Sequence, residues 1–143
     1  MKKIKKYQLM LRMNDPEFNV SRVIGILENF ALSITYIELL IKQLPWLTVN
    51  KRFWERLSTI QCLTLEFIKR YEDKFDDNSF VNLSGNNRIG RAVYLYYFDR
   101  VAWGVIFKVR KIEWTKVELL RLIALDFGER DKIQFLQLLK NAK

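Results

Sequence analysis

The sequence predicts an all-α protein, folded as an antiparallel four-helix bundle with a basic N-terminal arm and a short C-terminal helix. Three observations support this class. Apolar residues recur at steps of three and four along most of the chain, which is the spacing of an amphipathic helix. Helix start and stop signals punctuate the sequence at intervals that suit four helices. A strand pattern competes only weakly, where alternate residues are apolar at Tyr7, Leu9, Leu11 and Met13.

Length and composition indicate one globular domain. The chain has 143 residues, of which 50% are hydrophobic and 29% are charged, and this balance is typical of a folded protein rather than a disordered one. We therefore divide it into a basic N-terminal arm, residues 1–14, and a single helical-bundle domain, residues 15–143.

The first predicted helix begins at Asp15-Pro16-Glu17 and ends before Pro45. A carboxylate at the cap, proline at the first helical position and an acid in the first turn form a start signal. The apolar stripe that follows alternates steps of four and three without a break, at Val23, Leu27, Phe30, Ile34, Ile37, Ile41 and Leu44. Proline then ends the helix.

The second predicted helix begins at 48–50 and carries Phe53, Leu57, Ile60, Thr64, Phe67 and Tyr71 on one side. The polar stretch DDNSFVNLSGNN, residues 76–87, follows it. Such a composition is typical of a long surface loop.

The third predicted helix, residues 88–112, is apolar around most of its circumference. A membrane span is excluded here, because the stretch between Arg91 and Lys108 is shorter than the roughly 20 residues a span needs and has Asp99 and Arg100 near its middle. Apolar residues cover more than one side of this helix. We therefore expect it to be the central helix or to form the interface of a homo-oligomer.

The fourth predicted helix begins at a capping box formed by Thr115 and Glu118, with Trp114 placed to pack against Leu119. Gly128 is expected to end or kink it. Asp131 and Gln134 have the spacing to cap a final short helix.

Missing residue types exclude several kinds of site. The chain has no histidine, which removes imidazole-based catalysis and most zinc and di-iron sites. Its single cysteine, Cys62, lies in the apolar sequence IQCLTL and is expected to be buried and unreactive. Carboxylates are scattered, and no glycine-rich phosphate loop is present. We expect no catalytic residues, no metal and no cofactor. The N-terminus has no signal-peptide pattern, so we expect a cytoplasmic protein.

A net charge of +9 points to a polyanionic partner, and the basic residues fall into three groups. The N-terminal arm carries Lys2, Lys3, Lys5, Lys6 and Arg12; the second helix carries Arg52, Arg56 and Arg70; the third carries Arg88, Arg91, Arg100, Lys108, Arg110 and Lys111. Tyr96 and Tyr97 are candidates to stack on exposed bases, as in single-strand binders. The alternatives are a solvated tail for the arm and solvated, ion-paired faces, such as Arg52 with Glu55, for the helices.

One stretch resembles a known family. ITYIELLIKQLP (residues 34–45), Arg52 and LEFI (Leu65 to Ile68) are similar to the corresponding part of the four-helix-bundle accessory proteins of diversity-generating retroelements. Those proteins are in turn similar to the bundle proteins of ribosomal RNA intervening sequences. The resemblance covers roughly residues 34–68. It implies a non-enzymatic, ring-shaped homo-oligomer that binds a reverse transcriptase and its template RNA through basic surfaces.

The sequence thus predicts a non-enzymatic basic bundle that binds nucleic acid (RNA or DNA, with RNA the first candidate) and/or a nucleic acid polymerase, such as an accessory subunit of a reverse transcriptase. The leading alternative is a viral or mobile-element protein that acts by protein contact alone, as a structural subunit or as an inhibitor of a host enzyme. A third possibility is binding to an anionic membrane surface through residues 2–12.

Overall fold

The computed structural model of the chain describes residues 1–15, 17–124 and 129–142. The all-α class is confirmed, with 69% helix and 3% strand. The helices are α1 (Lys6–Met13), α2 (Val20–Asn29), α3 (Ile34–Gln43), α4 (Lys51–Ile60), α5 (Leu65–Arg70), α6 (Asp77–Gly85), α7 (Arg91–Tyr96), α8 (Trp103–Val109), α9 (Lys116–Ala124) and α10 (Glu129–Asn141). Two 3₁₀ helices, Pro45–Val49 and Glu72–Lys74, lie between them. The antiparallel four-helix bundle is not confirmed, because breaks divide the long helices that were predicted.

The N-terminal residues are folded onto the rest of the chain. Strand β1 (Lys2–Lys3) pairs in parallel with β2 (Phe30–Ala31), so that Lys2 lies opposite Phe30. Ile4 and Leu9 are 4% and 0% exposed. The weak strand signal at residues 7–13 is wrong, since these residues form most of α1.

The first predicted helix is two helices. Its start at Asp15 is wrong: α2 begins at Val20, where the side chain of Asn19 accepts a hydrogen bond from the backbone of Arg22. The chain then becomes extended at Phe30 and Ala31 to form β2. Ser33 caps α3, with its hydroxyl accepting from the backbone N–H of Tyr36. The apolar stripe is continuous across residues 30–33, but the helix is not. The pairing of β2 and the new cap at Ser33 end one helix and start the next.

The second predicted helix is also interrupted. Helix α4 begins after Asn50, whose side chain accepts from the backbone of Phe53, and it ends at Ile60. Gln61 is extended, and Thr64 then caps α5 by accepting from the backbone of Phe67. Threonine at position 64 is thus a new helix start rather than a member of the apolar stripe.

The predicted surface loop at residues 76–87 is wrong. Most of it is helix α6, which the Asp76 carboxylate caps by accepting hydrogen bonds from the backbone and hydroxyl of Ser79. Phe80 and Leu83 are 0% exposed. The sequence predicts a loop here because small polar residues favour loops. In the structure these side chains instead cap α6 or donate hydrogen bonds from buried positions.

The third predicted helix is divided into α7 and α8 by residues 97–102. At this break the backbone N–H of Ala102 donates to the hydroxyl of Ser84, 2.8 Å away, and the indole of Trp103 donates to the carbonyl of Phe98 at 2.8 Å. Side chains thereby pair with backbone groups that a continuous helix would have paired internally.

The fourth predicted helix starts where expected. The capping box is confirmed, since the Thr115 hydroxyl accepts from the Glu118 backbone and the Glu118 carboxylate accepts from the Thr115 backbone. Gly128 lies outside the described residues. The predicted cap at Asp131 is wrong, because α10 already begins at Glu129.

Four of the helices, α2, α4, α6 and α8, form a row in which each packs on the next one in that order. Helix α2 packs on α4, α4 on α6, and α6 on α8, while α9 and α10 pair as a separate hairpin. Aromatic rings join the hairpin to the row: the ring centroid of Phe135 lies 4.9 Å from that of Trp103 and 5.0 Å from that of Phe107. Phe135 is itself 0% exposed.

A chain of buried polar contacts runs through this row. The Gln61 carboxamide donates to the carbonyls of Leu27 and Phe30, at 2.7 and 2.8 Å, and accepts from the backbone of Leu32 at 2.9 Å. The Asn86 carboxamide donates to the carbonyls of Ser58 and Gln61, both at 2.8 Å. Gln61 and Asn86 are 0% and 2% exposed, so these two side chains pair backbone groups at the helix breaks that water does not reach.

Cys62 lies at one of these breaks and is exposed, so its predicted burial is wrong. In the extended segment after α4, successive side chains point to opposite sides. Gln61 and Leu63 are 0% and 2% exposed, which directs the cysteine between them to the solvent.

We predict that Gln61→Ala lowers the free energy of unfolding by about 2–4 kcal/mol, because two buried backbone groups and one part-buried backbone group lose their partner. Urea denaturation followed by circular dichroism measures this change. Gln43→Ala is the matched control, since Gln43 is exposed at the end of α3, and it should change stability by less than about 0.5 kcal/mol. Equal effects of the two substitutions would contradict the role given to Gln61.

Candidate nucleic-acid interface

Lys2, Lys3, Lys5 and Lys6 form an exposed group that we call the N-terminal basic patch. None of the four forms an ion pair with a described residue. The pairing of β1 with β2 and the burial of Ile4 hold the backbone of this patch in place. The structure therefore brings these predicted site residues together and fixes the segment that carries them.

Arg12, the fifth basic residue of the predicted arm, lies at the end of α1. Its guanidinium carbon is 4.9 Å from the centroid of the Phe30 ring, a cation–π distance. It also borders a cleft of about 330 Å³ with Asp15 and Arg22, which form an ion pair at 3.7 Å. Arg12 is exposed but already has an aromatic partner.

The arginines predicted on the second helix are mostly paired with acids. Arg56 contacts Glu28 at 3.1 Å, and Arg70 contacts Glu38. The predicted pair of Arg52 with Glu55 is wrong, since Glu55 pairs with Lys51 at 3.7 Å. Arg52 is exposed and has no ion pair with a described residue. This group therefore offers one free cation rather than a patch.

Three of the predicted site arginines in residues 88–112 contact other residues of the protein. Two of them are Arg91, the first residue of α7, and Arg100, in the break between α7 and α8. Arg91 pairs with Glu118 at 2.9 Å. Arg100 donates to the carbonyl of Phe75 at 3.2 Å, and its guanidinium lies 4.1 Å from the centroid of the Phe80 ring. Both guanidinium groups therefore make contacts within the protein, which leaves fewer of their donors available to a partner molecule.

Arg110 is the third and the most firmly held of the predicted site residues. Its Nη1 atom donates to the carbonyls of Asn86 and Ile89, at 2.6 and 2.9 Å, and to the hydroxyl of Tyr94 at 2.8 Å. Burial raises the pKa of that tyrosine, and the neighbouring guanidinium partly opposes the rise. Nε and Nη2 of Arg110 donate to no described residue, so the rest of the guanidinium stays available.

Lys108 and Lys111 are exposed and have no ion pair with a described residue. Arg88 is half-buried and likewise unpaired within the described part of the chain. Together with the free side of Arg110, the two lysines place a second region of unpaired positive charge at the end of α8 and just after it.

The two candidate stacking tyrosines differ. Tyr96 is 51% exposed, and the ammonium of Lys69 lies 4.1 Å from its ring centroid. Tyr97 is 3% exposed and packs on Phe80 with centroids 5.0 Å apart. Burial, reinforced by the Glu72 carboxylate, raises the pKa of Tyr97 to about 12. The expectation that both tyrosines stack on bases is therefore wrong for Tyr97, whose ring is part of the core.

A cleft that the sequence did not indicate lies between the 107–114 segment and α10. Its volume is about 410 Å³, within the range of ligand pockets. Its walls include Arg110 and Lys111, the apolar side chains Phe107, Ile112, Trp114 and Leu138, and the amides Gln134, Gln137 and Asn141. No carboxylate of a described residue lines it.

One signal for this cleft was present in the sequence. Gln134, Gln137 and Asn141 follow a helical spacing of three and four, so they share one face of α10. An amide stripe on a helix is also what an ordinary solvated face looks like. The sequence alone gives no indication that the stripe faces Lys111.

Other kinds of site find little support in the described residues. They contain no group of three or more Cys, Asp or Glu side chains close enough to hold a metal ion. Within the same residues, every helix is too short or too polar to cross a membrane. Comparison of the chain with protein-family models, with curated proteins and with solved structures gives no match.

The pair of Arg91 with Glu118 should make stability depend on pH. Burial raises the pKa of the Glu118 carboxyl, but hydrogen bonds from Thr115 and the charge of Arg91 outweigh this and hold the pKa below its ordinary value of 4.5. The ionised group therefore stabilises the fold above pH 4.5, and this stabilisation is lost as the pH falls through the lowered pKa.

We predict that Glu118→Gln lowers the free energy of unfolding by about 1 kcal/mol at pH 7, and that this difference shrinks as the pH falls below 4.5. Urea denaturation between pH 7 and pH 3 measures it. Glu113→Gln is the control, since Glu113 is exposed and unpaired within the described residues, and it should have little effect at any pH. A difference for Glu118→Gln that does not change with pH would contradict the pairing.

Proposed function

We propose that this chain is a non-enzymatic basic protein that binds nucleic acid (RNA or DNA, with RNA the first candidate) and/or a nucleic acid polymerase. The observation that carries the proposal is the N-terminal basic patch. Four lysines project from a backbone that is fixed by strand pairing and by two buried apolar residues, and no described acid neutralises them.

The distribution of ion pairs supports this proposal. The chain has a net charge of +9, and several of its acids pair with basic residues in the middle of the fold, such as Arg56, Arg91 and Lys51. Among the described residues, positive charge without an ion pair remains on the N-terminal basic patch and at Lys108 and Lys111, as well as at single positions such as Arg52 and Lys42. Phosphates are the usual partners of such charge, because each one that is neutralised releases condensed counterions.

The resemblance to retroelement accessory proteins extends the proposal. It supports an accessory subunit of a reverse transcriptase, cytoplasmic and assembled as a ring-shaped homo-oligomer through residues 88–112. In that segment Tyr96 and Val109 are the large apolar side chains most exposed, at 51% and 52%. These two positions are where an interface between copies would be centred. The antiparallel four-helix-bundle arrangement is part of the same proposal.

A second candidate function is protein contact, as a structural or inhibitory protein of a virus or mobile element. The observation that favours it is the exposed apolar surface of the α9–α10 hairpin. Val117 and Leu120 on α9 are 66% and 55% exposed, and Ile133 and Leu136 on α10 are 55% and 48% exposed. Exposed apolar side chains clustered on neighbouring helices are typical of protein interfaces.

We predict that Lys2→Gln combined with Lys3→Gln weakens binding to a 20-nucleotide single-stranded RNA and flattens its salt dependence. The slope of log K against log salt should fall by about 0.7 for each phosphate that the variant no longer neutralises. Fluorescence anisotropy at several salt concentrations, with the same sequence as duplex DNA for comparison, measures both quantities.

The matched control replaces Lys51 and Lys74 with Gln. It removes the same charge, but Lys51 pairs with Glu55 and Asp76, and Lys74 pairs with Asp73. The control should change binding less than the patch variant does. Equal losses of affinity in the two variants, or no RNA binding at low salt, would contradict the proposal and favour the protein-contact function.

A further inference from the structure

We propose that the cleft between the 107–114 segment and α10 is a pocket for one nucleotide of a single strand, which takes the base against its apolar wall and the phosphate at its basic rim. This inference rests on the proposed function and adds to it a defined place and a defined ligand. It depends on residues that lie away from the N-terminal basic patch in the sequence and on different elements.

The basic rim suits a phosphate. Lys111 is exposed and unpaired within the described residues. Arg110 borders the cleft with three hydrogen bonds on Nη1 alone, so its guanidinium is held in place while Nε and Nη2 keep their donors. A guanidinium that is already positioned loses little conformational freedom when it binds an anion. Because no described carboxylate lines the cleft, this positive charge is uncompensated there.

The opposite wall suits a base. Phe107 and Trp114 contribute aromatic surface, and Leu138 contributes aliphatic surface. Contacts with other rings fix both aromatics: Phe107 lies 5.0 Å from Phe135, and Trp114 lies 5.7 Å from Trp103, between ring centroids. Stacking of a base on aromatic and apolar side chains is the main sequence-tolerant contact in single-strand recognition.

The amide face of α10 provides hydrogen bonds to the edge of a base. The side-chain oxygen of Gln134 is buried and accepts no hydrogen bond from the described residues. A buried carbonyl oxygen without a partner is costly, and a ligand group that reaches this oxygen and donates to it recovers that cost. Gln137 and Asn141 follow on the same face. Bases carry both donors and acceptors on their edges, which a purely apolar ligand lacks.

The pocket shares part of its wall with a second cleft. Ile112, Trp114, Leu138 and Asn141 line both, and the second has a volume of about 590 Å³. A strand that places one nucleotide in the first cleft therefore has a path past Trp114 for the next. This geometry favours a nucleotide within a strand over an isolated small anion.

The test uses the whole chain labelled with nitrogen-15, because each of its four tryptophans gives a separate indole N–H signal by NMR. Addition of uridine or adenosine monophosphate to millimolar concentration at low salt should shift the Trp114 indole signal. Trp46, which is 38% exposed and does not border the cleft, should not shift. A Trp114→Phe variant assigns the signal.

Two substitutions with one control follow. Lys111→Gln and Gln134→Leu should each weaken nucleotide binding by roughly tenfold, the loss expected for one charged or buried hydrogen bond. Gln134→Leu should leave thermal stability unchanged or raised, since the replaced oxygen has no partner among the described residues to lose. Lys42→Gln removes an exposed lysine at the end of α3 that has no ion pair with a described residue and does not border the cleft, and it should leave nucleotide affinity within about twofold.

The outcomes separate this inference from the proposed function. Failure of the Trp114 signal to move overturns the pocket, and if the RNA still binds through the N-terminal basic patch, the proposed function stands. A shift produced equally by inorganic phosphate overturns the base-binding side. An equal shift with an acidic peptide in place of the nucleotide overturns the ligand class. If the nucleotide shifts Trp114 but single-stranded RNA does not bind, the pocket stands as a site for a free nucleotide and the proposed function fails.

Discussion

The carboxamide of Gln61 stabilises the extended backbone between α2 and α3. It lies at the end of α4 and pairs with three backbone groups of the junction between α2 and α3. Without such a partner, an extended strand residue at Phe30 would leave buried carbonyls unpaired, and a continuous helix would be favoured. The parallel contact of β2 with β1 depends on that same extended geometry. A buried glutamine thereby holds the turn that anchors the N-terminal basic patch.

Asn86 and Arg110 act in the same way at the other end of the row of helices, where their side chains also pair with backbone carbonyls. The Asn86 carboxamide donates to the carbonyls of Ser58 and Gln61 at the end of α4, and the Asn86 backbone carbonyl accepts from the guanidinium of Arg110. That arginine borders the cleft beside α10. The polar side chains that allow the helices to break therefore also position a cation at the proposed nucleotide pocket. Packing and recognition share residues at this point, which makes Arg110 a poor target for a test of binding alone.

The sequence predicted the helical class and several local features, since apolar spacing and the Thr115 capping box are written in neighbouring residues. It did not predict the breaks at Gln61 or Ala102, because these depend on partners about 20 to 30 positions away in the chain. The prediction for residues 76–87 was wrong for the same reason: Asn86 and Ser84 have loop-forming side chains that tertiary contacts bury. Among the candidate site residues, the lysines at 2–6 could be proposed from charge alone. The cleft could not, because the amide stripe on α10 and Lys111 come together only in the folded chain.

The central claim is that unpaired positive charge, held in place by the fold, binds nucleic acid. The most direct measurement is ultraviolet cross-linking of the chain to single-stranded RNA, followed by mass spectrometry of the cross-linked peptides. The account predicts cross-links in residues 1–13 and 107–114, and their disappearance at high salt. Cross-links confined to the apolar surface of α9, or a yield no greater than that of a neutral protein of similar size, would contradict it.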